Sequence, residues 1–393
     1  MEDEKQGSVL RTVVGRAAAL GLASAIQLMT LAFLARGVGP ADFGHFSQLA
    51  GIGLALGALG GFGLTLRMLR LGGSGDAARV AFTAVLFTAG VAVVDAVLVV
   101  AIGQIVTGGF SAVSLAAAMA TLVEIPTQAV QALLSGRQRF TSAAVVLTAQ
   151  RLIVLCAIWL LPVSSGAALA IGYALALLVL AAYLVVLAER PVPLGPVLRG
   201  GLGYWYASVA PMVGQLDVVI VGAVAGPGAS GLYGAASRLM GPLNIVANAM
   251  TNVFVPRLAA VSAEGDRRLV EYRASRRSAW IIAALVVLVS PVAAWLTRLV
   301  LGAEFVGVEP VVIGFCAAAA LSGVCRVEQA LLIARDEPRK AATPVLVGAL
   351  VLFLLIVTLA PLGSWGLAAA PVLAHMVVLA LLLRAVAVTS EAV

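Results

Sequence analysis

Eight charged side chains fall inside long apolar runs of the sequence: Arg16, Asp95, Glu124, Arg151, Asp217, Arg238, Arg326 and Glu328. Four of each sign are present. A charge in hydrocarbon costs roughly 2.5–3.5 kcal/mol on insertion scales, so each group needs a partner, water or a ligand. Two chemistries follow. The planar arginine fork grips phosphate oxygens in pairs, which makes Arg16, Arg151 and Arg326 candidates for holding an anion. The carboxylates Asp95, Glu124 and Asp217 are candidates for taking up a proton or a sodium ion. A competing reading pairs the charges with one another as buried locks between helices, and the balance of signs alone leaves both readings open.

Helical spacing sorts the uncharged polar residues. Thr121, Glu124, Gln128 and Gln131 follow i, i+3, i+7, i+10, and Ser322, Arg326 and Gln329 follow i, i+4, i+7, so each set lies on one helix face. Asn244, Asn248 and Asn252 form a third stripe with Ser237 and Gly241, and Arg16, Gln27 and Thr30 share a side of the first run. One such stripe is explained by hydrogen bonds between helices. Several together, two of them related by an internal repeat, point to a water-filled cavity lined by Gln27, Gln128, Gln131, Asn244, Asn248, Asn252 and Gln329.

The elements that must position these residues are membrane helices. The chain is 62% apolar and only 11% charged, with a mean hydropathy of +1.09, whereas a soluble domain carries about a quarter charged residues. A span takes about 20 apolar residues, and lipid satisfies no free backbone groups, so each run is expected to be a helix. The predicted spans are Thr12–Leu34, Phe46–Leu66, Val80–Ile102, Phe110–Leu134, Ala143–Leu161, Ala167–Ala188, Tyr204–Ala225, Gly231–Phe254, Ala279–Leu301, Val311–Ile333, Pro344–Ala360 and Leu367–Leu383. Nothing after the first run resembles a cleavage site, so that run is expected to remain as a span.

With the N-terminus inside, 19 of the 25 Lys and Arg fall on the cytoplasmic side, two on the outer side and four within spans. This bias predicts an even span count with both termini in the cytoplasm. Gly39-Pro40 to Phe46 and Gly226-Pro227 to Tyr233 both read G-P-x-x-x-G-x-[FY], 187 residues apart, and Gln131-Ala-Leu-Leu recurs as Gln329-Ala-Leu-Leu 198 residues on. These echoes predict two parallel six-helix halves. The expected domains are an N-terminal lobe over 1–190, a Pro/Gly-rich linker over 191–203 and a C-terminal lobe over 204–393. Pro126, Pro211, Pro242 and Pro291 lie within spans, where each removes a backbone hydrogen bond and can kink its helix.

Several functions are argued against. The net charge of +7 comes from loops that alternate along the chain, as topology requires, and so does not indicate nucleic acid. Cys156, Cys316 and Cys325 read as small buried hydrophobes and His45 and His375 as isolated packing or capping residues, so neither a disulfide framework, a metal site nor a catalytic residue is expected. A membrane polymerase or ligase needs a large outer loop, and the longest outer segment, Ala35–His45, has eleven residues.

Leu34-Ala35-Arg36-Gly37-Val38-Gly39-Pro40-Ala41-Asp42-Phe43-Gly44, the block from Leu216-Asp217 through Ala236-Ser237-Arg238-Leu239 to Pro256-Arg257-Leu258, Leu301 to Phe305, and Leu331 to Arg335 carry a family resemblance. Over nearly its whole length the chain resembles the polysaccharide (Wzx-type) flippases of the multidrug/oligosaccharidyl-lipid/polysaccharide exporter superfamily. The resemblance implies an all-α integral membrane protein, twelve spans in two lobes around a central cavity, and alternating access. It implies a cell-membrane protein that moves an undecaprenyl-diphosphate-linked oligosaccharide to the outer leaflet, without a cofactor beyond a proton or sodium gradient. Membrane lipids, glycosyltransferases and a polymerase of the same pathway are the implied partners. On this reading Arg326 and Arg151 flank the pyrophosphate and Arg16 receives it. Related lipid II flippases carry additional spans that form a groove for the lipid tail, so twelve spans argue against lipid II as cargo. A multidrug exporter of the same superfamily is the alternative, and the intramembrane arginines favour an anionic cargo over cationic drugs.

Overall fold

The computed structural model describes residues 2–70, 76–137, 139–199, 204, 205, 209, 214–241, 265–334 and 337–390, with side chains from residue 21 onward in most of these stretches. The helices are α1 (Glu2–Gly60), α2 (Leu64–Arg70), α3 (Asp76–Thr107), α4 (Ala112–Gly136), α5 (Phe140–Leu160), α6 (Ser165–Val186), α7 (Asp217–Leu239), α8 (Gly265–Leu301), α9 (Val308–Ala334), α10 (Pro338–Leu359) and α11 (Ser364–Ser390). No strand occurs among the described residues. Among the described residues, ten helices are long and apolar enough to cross a membrane. The protein is an all-α, multi-pass membrane protein.

The first repeat echo has a backbone meaning. As a straight rod the 59 residues of α1 would reach about 88 Å, nearly three hydrocarbon thicknesses. It breaks at Gly39, with φ 77 and ψ 173, and Pro40 follows. α7 breaks in the same way at Gly226, with φ 86 and ψ 173, before Pro227. Only glycine takes this conformation without strain, and the proline has no N–H to lose from the helix ladder. Beyond each break the motif's aromatic ring anchors the turn: Phe46 and Tyr233 are both fully buried, Tyr233 edge-on to Phe315 at 4.9 Å.

In α1 the break makes a hairpin. Gly37, just before it, packs on Ser165 at the start of α6, and Gly166 lies against Ala112 at the start of α4. Gly53 then meets Thr121, deeper in α4, so the second arm of α1 runs back alongside α4. The arms correspond to the first two expected spans, α3 to α6 to the next four, and α8 to α11 to the last four. α7 joins the end of the seventh to the start of the eighth, whose remaining residues lie outside the described ones.

The chain packs as two compact units, Met1–Val219 and Ile220–Val393. In the first, α4 is the central helix, touching α1, α2, α3, α5 and α6. In the second α9 holds that place, against α8, α10 and α11. The described part of the linker belongs to the first unit: Val192 N–H donates to Thr83 Oγ1, Arg67 Nη1 donates to the Pro196 and Val197 carbonyls, and Val197 is buried.

Two expectations need correction. The second span does not continue as one helix to Leu66. It stops at Gly60 and restarts at Leu64 across a turn in which Phe62 and Gly63 have φ of 48 and 68. Three glycines in four positions end the helix although the hydropathy continues. Cys156 is not buried, unlike Cys316 and Cys325. In a membrane protein an apolar residue is at home on the outer face as well as in the core, so hydrophobicity alone does not place it inside.

Candidate functional site

The two central helices are also the most buried spans of their units, and each leaves a polar stripe open. α4 is covered nearly all round, and Gln128 is its one exposed residue among the described side chains. Glu124 and Gln131, which flank it on the same face, are partly accessible, while Thr121 at the edge of the stripe is buried against Gly53. A position facing lipid would be apolar. An exposed glutamine midway along a span therefore marks a wet face. On α9, Ser322, Arg326 and Gln329 are each half-buried along one line. The 198-residue offset superposes Glu124 on Ser322, Gln128 on Arg326 and Gln131 on Gln329, so both units open their stripe at equivalent positions.

The charges on the stripes differ in what holds them. Arg151 on α5 forks onto Glu124: Nη1 donates to Oε1 and Nη2 to Oε2 at 2.9 Å. Gln150 Nε2 reaches Oε1 at 3.5 Å, and Tyr173 of α6 lies beside the guanidinium. This is the charge-assisted bidentate geometry that would suit a phosphate, here occupied by a carboxylate. Arg326 makes no hydrogen bond and no ion pair among the described residues. It lies eight residues, or about 12 Å, from the end of α9.

Of the other candidate residues, Arg16 lies within α1 but its side chain is not among those described. Gln27 is half-buried on the first arm of α1, with Thr30 below it bonded to the Ile26 carbonyl. Asn244, Asn248 and Asn252, with Pro211 and Pro242, lie outside the described residues. Asp217 is buried at the start of α7, where its Oδ1 accepts the Val218 N–H at 2.7 Å. Asp95 is 5% exposed on α3, and its Oδ2 has no hydrogen-bond partner among the described residues.

Sequence reading missed the tyrosines. Glu328 on α9 is fully buried and accepts the Tyr272 hydroxyl at 2.6 Å, with Arg276 Nε at 3.5 Å. Tyr272 and Tyr173 each place a hydroxyl beside a buried ion, and a buried polar tip usually finds a partner. No group of three metal-ligating residues occurs among the described ones. His375 Nδ1 bonds the Pro371 carbonyl one turn back on its own helix at 2.8 Å.

The chain is thus an all-helical membrane protein of two units, each opening a polar stripe on its central helix. Among solved structures it is similar to the lipid II flippase MurJ in an inward closed conformation, with a TM-score of 0.69 and 12% identity, over 95% of this chain and 87% of that one. It is also similar to the MATE multidrug transporter DinF-BH, with a TM-score of 0.63 and 16% identity, over 94% of each chain. An inward-facing MATE family transporter of the MOP superfamily matches with a TM-score of 0.60 and 14% identity, over 94% of this chain and 96% of that one. At such identities the likeness shows a shared fold. The family model for polysaccharide biosynthesis proteins matches residues 33–310, more than two thirds of the chain, and the chain belongs to that family. No curated protein matches it by sequence.

Proposed function

We propose that this protein flips an undecaprenyl-diphosphate-linked oligosaccharide from the cytoplasmic to the outer leaflet by alternating access, in the synthesis of a cell-surface polysaccharide. Membership in the polysaccharide biosynthesis family supports the pathway, and the fold shared with a lipid II flippase supports the kind of movement. The observation that carries the reading is Arg326, a half-buried cation midway along a span with no protein partner among the described residues. A buried unpaired charge is very costly, so a site of this kind is made for an anion that comes and goes. The diphosphate meets the Arg326 fork, Gln329 and Ser322 answer neighbouring oxygens, and Gln128 and Gln131 face the sugars. Arg16 receives the headgroup at the cytoplasmic end. Arg151, engaged by Glu124, acts as a fixed post of the first unit. Both termini lie in the cytoplasm of a cell-membrane protein.

Flipping of a labelled lipid-diphosphate oligosaccharide in reconstituted vesicles tests the proposal. Arg326→Ala is expected to slow transport by roughly 100-fold, and Arg326→Lys to retain the charge without the fork and recover part of the rate. A cationic dye run in parallel is expected not to move. Full flipping by a well-folded Arg326→Ala protein, or dye transport in place of lipid, overturns the reading.

A further inference from the structure

The helix α8 of the second unit carries its own record of where the bilayer surfaces lie. Ser275, Ala279, Ala283, Ser290, Ala294 and Thr297 are buried, and α8 packs on α9. Its other side is uncovered, with Ile281, Leu285, Leu288 and Val292 all exposed. Between Arg277 and Arg298 no residue is charged. The two positions are about 32 Å apart along the helix, close to the roughly 30 Å of a hydrocarbon core. An exposed tryptophan stands three positions inside each arginine, Trp280 and Trp295, as in the aromatic belts that mark membrane surfaces. Arg277 and Arg298 therefore lie at the two headgroup layers.

The two ends are furnished differently. At one, Arg298 Nη1 donates to Glu309 Oε1 of α9 at 2.7 Å. At the other, Arg273, Arg276 and Arg277 follow one another, and only Arg276 is answered, its Nε 3.5 Å from the buried Glu328. Arg273 and Arg277 are exposed and make neither an ion pair nor a hydrogen bond among the described residues. Spaced i, i+4, they stand on one face, where like charges repel unless an anion comes between them. The small residues Ala274 and Ser278, also exposed, leave room there. The same face is apolar on either side, with Val270 beyond Arg273, and Trp280 and Ile281 beyond Arg277. A ligand for this place brings a phosphate to two guanidinium forks and hydrocarbon to the face next to them. An acidic soluble protein would answer the charges but would have to displace lipid from Trp280 and Ile281. The sugars of a lipid-linked cargo would find only Ser278 and the Trp280 indole as uncharged polar groups. A zwitterionic lipid would bring its own cation to a site already holding two.

We propose that Arg273 and Arg277 hold the phosphodiester headgroup of an anionic phospholipid, whose acyl chains lie along Ile281, Leu285 and Leu288. The same two helical turns carry Tyr272 and Arg276, which hold Glu328 of α9. A lipid bound on the outer side of these turns therefore steadies the contact between α8 and the central helix of its unit. This site is separate from the Arg326 stripe and does not rest on the transport reading above.

The test is lipid titration of the purified full-length protein in detergent, read by thermal unfolding and by native mass spectrometry. A ligand that binds the folded state raises its unfolding temperature. Phosphatidylglycerol is expected to give a saturable rise and a one-to-one adduct, with phosphatidylcholine and inorganic phosphate giving neither. Replacing both Arg273 and Arg277 by glutamine is expected to weaken phosphatidylglycerol binding about 30-fold, roughly five-fold for each basic residue near the surface. Replacing both by lysine should keep part of the affinity, and Arg298→Gln, at the paired end of the helix, should leave it unchanged. Equal responses of the parent protein to the two phospholipids overturn the proposal without recourse to any variant. So does a response reproduced by inorganic phosphate, or full phosphatidylglycerol affinity in the double glutamine variant. If that variant loses binding of a polyprenyl diphosphate while keeping phosphatidylglycerol, the face belongs to cargo and the phospholipid site is equally overturned.

Discussion

The stripes on α4 and α9 occupy equivalent positions of a repeat, yet they handle charge in opposite ways. On α4 the acidic member, Glu124, is closed by an arginine from the next helix, with a glutamine and a tyrosine completing the cluster. On α9 the acidic group, Glu328, has turned off the stripe into the core against Tyr272 and Arg276, and the stripe keeps an arginine without a partner among the described residues. A duplicated scaffold has thus diverged into a neutral polar wall in one unit and a cationic one in the other. The lesson is that intramembrane charges of one chain need not share a role: those that find one another hold the helices, and those left over are the ones a ligand can use.

The sharpest way to break this contrast is to open the closed pair. Glu124→Ala or Arg151→Ala leaves a buried charge unanswered and is expected to destabilise the protein by about 3–5 kcal/mol, read from unfolding in detergent. The double replacement by glutamine is expected to cost clearly less than either single change, because no lone ion remains. Equal losses for the single and double variants would mean that the pair does not act as a unit.

Second in size is the open arginine. Arg326→Ala removes a fork on which a diphosphate would sit and is expected to slow flipping by roughly 100-fold, in keeping with truncation of one member of a buried charge pair. Stability should be unchanged or slightly raised, since an unpartnered ion is removed. If instead stability collapses while transport by the surviving protein is normal, Arg326 belongs with Arg151 as a structural group and the contrast between the units disappears.

Much of this was legible in the sequence, and the limits have physical causes. Hydropathy located the helices among the described residues because lipid forces every apolar run into a helix. The G-P-x-x-x-G-x-[FY] echo foretold a repeated feature, and Gly39 and Gly226 gave it with nearly identical backbone angles, because the residue types demand that bend. The polar stripes followed from helical spacing. The partner of each charge did not. Arg151 and Glu124 are 27 residues apart on different helices, and only their packing brings them together. The Gly60–Gly63 break was written in three glycines, but a continuous hydropathy signal hid it.

A smaller effect is expected where the two units agree. Gly39 and Gly226 hold φ of 77 and 86 with ψ of 173, a positive-φ extended backbone that an L-residue adopts at a cost of roughly 1–3 kcal/mol. No atom stands within 4 Å of an added Cβ at Gly226, so alanine there tests the backbone alone. Gly39→Ala and Gly226→Ala are each expected to lower stability by that amount. A large loss at one position and none at the other would show that the repeat has kept its shape without keeping its energetics.

The smallest effect should come from the polar residues that flank the contrast. Gln128 on α4 and Gln329 on α9 carry no charge, and each offers one amide to whatever fills the wet face. A neutral hydrogen bond is worth about 1 kcal/mol, which is roughly a five-fold change in rate or affinity. Gln128→Leu and Gln329→Leu are therefore expected to slow flipping about five-fold each, without loss of folding, since leucine is at home in a span. Because the stripes carry different charges, the two variants should separate by cargo. Gln329, one turn from Arg326, is expected to matter equally for a long and a truncated oligosaccharide, because it serves the diphosphate end that both share. Gln128, on the neutral wall, is expected to matter for the long cargo and much less for one cut to a single sugar. The comparison needs only initial flipping rates for two cargoes with three proteins. If Gln128→Leu slows both cargoes alike and Gln329→Leu slows neither, the neutral wall reads the headgroup, and the roles assigned to α4 and α9 must be exchanged.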